Sequence, residues 1–142
     1  MLRNRSELDR LIPGARFESL SYPISEPRPL TKRRVARHFL CARGGGQTFN
    51  SGVSDLNQLS AYFLEKSQGD IGAVKKLIDK NRNDHGWLIF ATHDVTQRPS
   101  SFGCSQDFFE EVVRYSVSSN ACILPVVGAL ERIREASIEG VA

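Results

Sequence analysis

His93 is the residue of this sequence that is best placed to do chemistry. It follows the apolar run Trp87–Ala91 and lies between Thr92 and Asp94. Because an imidazole changes its protonation state near neutral pH, it can act as a general acid that gives a proton to a leaving group. The alternative is a core histidine that donates to a backbone carbonyl, and the sequence leaves both interpretations open.

The remaining histidines and the cysteines do not supply His93 with a metal site. His38 ends a basic segment, His85 lies in a polar turn, and no HxxxH, HxH or HExxH spacing is present. The three cysteines are an odd number without CxxC spacing, which favours neither a disulfide framework nor a structural zinc site. Cys122 lies in an apolar run and is expected to be buried. We therefore predict no metal site and no cofactor within this chain.

The run before His93 predicts a strand that is buried on both faces. It is too short for an independent helix and lacks polar alternation, which is typical of a parallel sheet covered by helices. In such folds chemistry lies at the carboxyl ends of the strands, and this is where His93 is expected.

Strands are predicted to alternate with helices along the whole chain. The predicted strands are residues 17–22, 39–42, 87–91 and 123–127. Pro125 would place the last strand at an edge, because proline cannot donate a ladder hydrogen bond. The predicted helices are residues 6–12, 31–38 and 70–81, one from about Gln106, and one around Leu130 and Ile133. Residues 44–69 are expected to be irregular or partly helical, with Gly44-Gly45-Gly46 as a flexible connector. This order indicates an α/β fold with mostly parallel strands.

Length and composition favour one domain. The chain has 142 residues, of which 40% are hydrophobic, whereas a closed eight-unit barrel needs roughly 250 residues. Residues 1–43 carry ten Lys or Arg and four Asp or Glu, with a basic cluster at residues 32–37. Without interleaved aromatic residues, this cluster favours a solvated helix face over a nucleic-acid site, so no nucleic-acid partner is predicted. The absence of a long apolar run and of a signal-peptide pattern predicts a cytoplasmic protein that does not bind membranes.

Four segments together resemble the C-terminal half of a polysaccharide deacetylase domain. They are SYPISEP (21–27), FLCARGGGQTFNSG (39–52), GWLIFATHDVTQRPSSFGCSQDFFEEVV (86–113) and ILPVVGALERI (123–133). Such domains are metal-dependent carbohydrate N-deacetylases, among them chitooligosaccharide and peptidoglycan deacetylases. The resemblance implies that residues 1–142 form a single partial domain, namely a distorted (β/α) barrel without its N-terminal half.

The resemblance also implies roles for individual residues. His93 matches a late histidine that protonates the departing amine and is the implied catalytic residue. Tyr22 and Pro23 resemble a substrate-lining motif whose backbone helps to polarise the carbonyl. Arg43 resembles an arginine at the end of the following strand. Together with Asp94, these three residues are the implied substrate-binding set.

The metal centre of the family has no counterpart here. In the family a divalent cation, usually zinc, is held by one aspartate and two histidines, and a second aspartate acts as base. Since this chain lacks the aspartate pair and the HxxxH motif, it is predicted to be inactive or nearly so alone. The predicted partners are a saccharide and either a second copy or a protein that supplies the missing barrel half. The alternative is a noncatalytic saccharide-binding or assembly module.

Overall fold

A computed structural model describes residues 2–139 of the chain and the side chains of residues 3–137. The helices are α1 (Leu2–Leu11), α2 (Pro29–Val35), α3 (Ile71–Asn83), α4 (Gln106–Ser118) and α5 (Val126–Glu139). The strands are β1 (Ser19–Ser21), β2 (Cys41–Arg43), β3 (Tyr62–Phe63) and β4 (Phe90–Ala91). Short 3-10 helices follow β1 at Pro23–Ser25 and β3 at Leu64–Ser67. None of the helices in this part of the chain combines the length and the apolar character needed to cross a membrane.

The four strands form two parallel pairs. β1 pairs with β2, and Ser21 lies opposite Arg43, while β3 pairs with β4, and Phe63 lies opposite Ala91. A parallel bridge from Arg43 to Leu59 connects the two pairs, because Leu59 lies just before β3 on the same extended segment. The α/β class with short parallel strands is therefore confirmed. The strands of residues 2–139 do not close into a barrel.

α5 covers one face of this sheet. Its Leu130 is 1% exposed and packs against buried residues of β2 and β4 and of the segments that precede β3 and β4. These residues are Cys41, Leu59, Ala61, Ile89 and Ala91. The C-terminal helix therefore covers this face of the sheet.

The opposite face packs against α2, α3 and α4. Val74 and Ile78 of α3 and Val112 of α4 share a buried cluster with Leu64. A smaller cluster joins Val35 of α2 to Ala42 of β2 and to Tyr22. The strands therefore lie between two layers of helices, which is the environment that the apolar run before His93 predicted.

Side-chain caps fix the beginnings of two helices. Asp70 accepts a hydrogen bond from the Ala73 N–H at 3.0 Å, and Ser105 accepts one from the Phe108 N–H at 3.3 Å. Each cap satisfies a donor that has no partner within the helix. The predicted starts near residues 70 and 106 are confirmed.

Several sequence-based boundaries were wrong. No strand forms at residues 123–127: α5 begins at Val126, and the Ala129 N–H donates to the Pro125 carbonyl at 2.9 Å. Proline suits the start of a helix, because the N–H that it lacks would have no partner there. β3 was missed within the segment predicted to be irregular. Cys122, predicted to be buried, is exposed, because the residues around it have no strand partner.

Candidate functional site

The carboxyl ends of the four strands surround one open cleft of about 870 Å³. Parallel pairing places Ser21, Arg43, Phe63 and Ala91 at the same end of the sheet. The residues that line the cleft are Ser21, Tyr22, Pro23, Ile24, Ser25, Arg43, Phe63, Glu65, Lys66, Ala91, Thr92, His93 and Phe102. The structure thus brings together four of the five residues that the sequence singled out, and Asp94 is the exception.

His93 extends from the end of β4 into this cleft and is exposed. Its main-chain N–H donates to the Phe102 carbonyl at 3.1 Å, and the ring centroids of the two residues are 5.5 Å apart. Neither imidazole nitrogen has a hydrogen-bond partner among the residues that the structure describes. The alternative of a core histidine is therefore wrong, since both nitrogens are available to a ligand.

Asp94 holds the loop after β4 rather than lining the cleft. Its carboxylate accepts one hydrogen bond from the Ser100 hydroxyl and a second from the Ser100 N–H at 2.9 Å. These bonds hold the pKa of the Asp94 carboxyl below its ordinary value, and the bond from the hydroxyl has the larger effect. Gly103 lies so close that a Cβ atom there would overlap with the Asp94 carboxylate. The loop held in this way carries Phe102 to His93, and substrate binding by Asp94 stays a prediction.

Tyr22 lies beneath the cleft and its polar atoms are occupied. The side chain is 4% exposed, and its hydroxyl donates to the Asn57 carbonyl at 2.9 Å. Its main-chain N–H donates to the Arg43 carbonyl at 2.9 Å, and its carbonyl accepts from the Ser25 N–H at 3.1 Å. Pro23 has no N–H. Neither residue therefore offers a free backbone donor to a substrate carbonyl, and their contribution to the cleft is its shape.

The turn after Pro23 is held by the first two residues of the triple glycine, Gly44 and Gly45. Ile24 and Ser25 both adopt positive φ angles, 61° and 63°, a region that non-glycine residues rarely adopt. The Ser25 carbonyl accepts a hydrogen bond from the Gly45 N–H at 3.1 Å. Gly44 lies against the same carbonyl, at a distance that leaves no room for a Cβ atom. The expectation of a flexible connector was wrong, because these glycines permit close approach of two chain segments.

Arg43 ends β2 with a partly buried guanidinium that lines the cleft. Burial lowers the pKa of this guanidinium below its ordinary value. Within the described part of the chain, the guanidinium forms no ion pair and no hydrogen bond. A desolvated charge without a partner costs free energy, which a bound anion would offset.

Glu65 and Lys66 enter the cleft from the 3-10 helix after β3. The Glu65 Oε2 atom is shielded from solvent and accepts no hydrogen bond from the described residues. The Lys66 ammonium is exposed and likewise has no partner in this part of the chain. The sequence did not single out either residue, because β3 is only two residues long and its strand pattern was not recognised. The clue in the sequence was the short segment Leu59–Phe63, in which Ser60 is the one polar residue.

The cleft does not contain the ligands of a zinc site. No group of three His, Cys, Asp or Glu side chains between residues 3 and 137 lies close enough together to hold a metal ion. His93 and Glu65 are the only cleft-lining residues of these types in that range. The cation that the family resemblance implies does not fit the described residues, and their chemistry is that of proton transfer and charge pairing.

Comparisons of the chain with protein-family models, with curated proteins and with solved structures found no match. The architecture and the residues of the cleft are therefore the basis for assigning a function.

Proposed function

We propose that this chain is part of a carbohydrate N-deacetylase of the polysaccharide deacetylase type. Its four parallel strands then belong to a distorted (β/α) barrel, and its cleft holds an N-acetylated sugar. The observation that carries this proposal is the position of His93. Its imidazole has no hydrogen-bond partner among the described residues and faces a cleft at the carboxyl ends of parallel strands, where α/β folds place their chemistry.

The proposed role of His93 is to protonate the leaving group. In amide hydrolysis, water adds to the acetyl carbonyl carbon, the C–N bond breaks, and acetate and a free amine form. The nitrogen is a poor leaving group until it receives a proton, which a histidinium can supply. The main-chain N–H of His93 donates to the Phe102 carbonyl and so fixes the backbone. The imidazole accepts and donates no hydrogen bond within the described residues, so it is free to approach the scissile nitrogen.

Activation of the water is assigned to groups outside the described cleft. A single imidazole and one carboxylate do not form a three-ligand metal set. We therefore expect the chain alone to bind an N-acetylated saccharide and to release little or no acetate.

The second candidate is a noncatalytic saccharide-binding module, and one observation favours it. Phe102 is 58% exposed at the rim of the cleft. Saccharide sites often include aromatic surfaces because a sugar ring presents an apolar face. In a binding module the Phe102 ring would provide most of the affinity, and His93 would contribute little.

Binding of N-acetylglucosamine tetramers distinguishes the two candidates. Isothermal titration calorimetry is done with the acetylated and the fully deacetylated tetramer, with added zinc, and acetate is assayed in parallel. We expect saturable binding of the acetylated tetramer and a weaker interaction with the deacetylated one. His93→Gln should weaken binding of the acetylated tetramer by about 3- to 10-fold, the value of one hydrogen bond of about 1 kcal/mol.

His38→Gln is the matched control, because His38 is exposed near the end of α2 and does not line the cleft. It should bind like the wild type. Equal affinity for both tetramers, together with no effect of His93→Gln, would refute the deacetylase proposal. If Phe102→Ala then abolished binding, the module would be supported instead. Acetate release by the isolated chain would contradict the expected dependence on groups outside it.

A further inference from the structure

We infer that the saccharide carries an acidic group, a carboxylate or a phosphate, which binds to Arg43 and Lys66. This inference rests on the proposed function and specifies the class of substrate. It follows from three charged side chains that line the same cleft and have no partner in the described part of the chain.

Arg43 is the main element of this anion site. Its guanidinium stays protonated at physiological pH and presents planar donors that match a carboxylate or a phosphate in a bidentate arrangement. β2 fixes its backbone, because Arg43 pairs with Ser21 on one side and with Leu59 on the other. The guanidinium is therefore held on a rigid strand, partly desolvated and unpaired, and an anion bound there would regain the interactions lost on burial.

Lys66 adds a second positive charge at the same opening. It is exposed and follows β3, and Leu59 just before that strand forms a parallel bridge with Arg43. An exposed ammonium contributes less to affinity than a desolvated guanidinium, because solvent and salt screen it. Its expected contribution is therefore a modest, salt-dependent increase in affinity for anionic ligands.

Glu65 explains why the ligand is an acidic saccharide rather than a simple anion. Arg43 and Glu65 both line the cleft, but they form no ion pair with each other. The shielded Oε2 atom of Glu65 requires a hydrogen-bond donor, and a fully ionised simple anion such as acetate or sulfate has none at neutral pH. A sugar supplies hydroxyl donors beside its acidic group, so a single ligand satisfies both side chains.

Two pairs of ligands test the inference by calorimetry on the whole chain. The first pair is a hyaluronan tetrasaccharide, which carries carboxylates, and the neutral N-acetylglucosamine tetramer. The second pair is N-acetylglucosamine 6-phosphate and N-acetylglucosamine. We expect at least one acidic ligand to bind about 10-fold or more tightly than its neutral counterpart, and the pair that does so identifies carboxylate or phosphate as the group.

Arg43→Gln should remove this preference by lowering affinity for the acidic ligand about 10- to 100-fold, as expected for a charge-assisted hydrogen bond. Arg43→Lys should restore part of it, since the charge returns without the bidentate geometry. Arg37→Gln is the matched control, because Arg37 is exposed and does not line the cleft. Circular dichroism of each variant establishes that it is folded.

The outcomes separate this inference from the proposed function. If neutral and acidic saccharides bind equally, and Arg43→Gln affects both alike, the inference is overturned while saccharide binding stands. If no saccharide binds, the proposed function fails and the inference fails with it. Binding of inorganic sulfate, which has no hydrogen-bond donor, with the affinity of the sugar phosphate would overturn the role given to Glu65 and the sugar hydroxyls.

Discussion

Replacing Gly44 by alanine tests how the cleft is built. Gly44 has no positive φ angle, so a methyl group there causes no backbone strain of its own. Its Cβ atom would instead lie closer to the Ser25 carbonyl than the 3.0 Å below which real Cβ atoms essentially never come. The contact is with main chain, and the turn that carries Ser25 must therefore move.

The cost of this movement has two parts. Overpacking that shifts backbone usually costs about 1–3 kcal/mol. The displaced Ser25 carbonyl also loses its 3.1 Å hydrogen bond from Gly45, for which about 1 kcal/mol is a typical value. We expect Gly44→Ala to lower the free energy of unfolding by about 2–4 kcal/mol. For a chain of this length, that corresponds to a decrease in Tm of roughly 6–12 °C.

The assay compares two glycine-to-alanine variants by urea denaturation and thermal melting. Gly128, in the first turn of α5, has no neighbour closer than 3.9 Å to its potential Cβ atom. Since alanine favours helix more than glycine does, Gly128→Ala should leave stability unchanged or raise it by up to about 1 kcal/mol. Gly44→Ala should also weaken saccharide binding, because Ser25 lines the cleft.

Equal stability changes in the two variants would refute this reasoning. A Gly44→Ala protein that melts like the wild type would mean that the Ser25 turn does not pack on the end of β2. The triple glycine would then be the flexible connector that the sequence alone suggested.

Three further predictions concern the core and the loop after β4. Leu130→Ala should lower the free energy of unfolding, measured by urea denaturation, by about 2–5 kcal/mol, since Leu130 is 1% exposed where α5 covers the sheet. A decrease below about 1 kcal/mol, which is typical of surface residues, would mean that α5 does not pack there. In the native protein, a thiol reagent should modify Cys122 rapidly and the two buried cysteines only on unfolding; fast reaction of all three would contradict the described core. The Asp94 carboxyl has a lowered pKa in the fold, so its contribution to stability is present above the unfolded pKa of about 4 and is lost as the pH falls through the folded value. Denaturation of Asp94→Asn across pH should therefore show a stability deficit near neutrality that shrinks in acid, and a deficit independent of pH would argue against the Ser100 hydrogen bonds.

Local patterns predicted the starts of α3 and α4 well, because each helix has a regular apolar stripe. Asp70 and Ser105 each stand before a helix with a regular apolar face, and both caps are present. Such contacts join residues a few positions apart, so they are encoded in the sequence itself. The strands were harder to predict from the sequence, because β3 and β4 are only two residues long.

Fewer of the residues that line the cleft could be identified from local sequence patterns than of those that start the helices. The sequence indicated His93 from its place after a buried strand, and the pairing of the strands then brought Arg43 to the same opening. Glu65 and Lys66 were missed because their strand was not recognised. The sequence did not reveal that Asp94 holds the loop, because its partner Ser100 meets it only when the loop folds back.

By itself, the sequence determined the α/β alternation, two helix starts and a histidine at a strand end, since each depends on neighbours in the chain. Only the tertiary structure decided that α5 covers the sheet, that two glycines hold a turn, and that unpaired charges share one cleft. Those features arise from contacts between segments tens of residues apart. Local propensity carries no information about such contacts, because packing of the whole chain selects them.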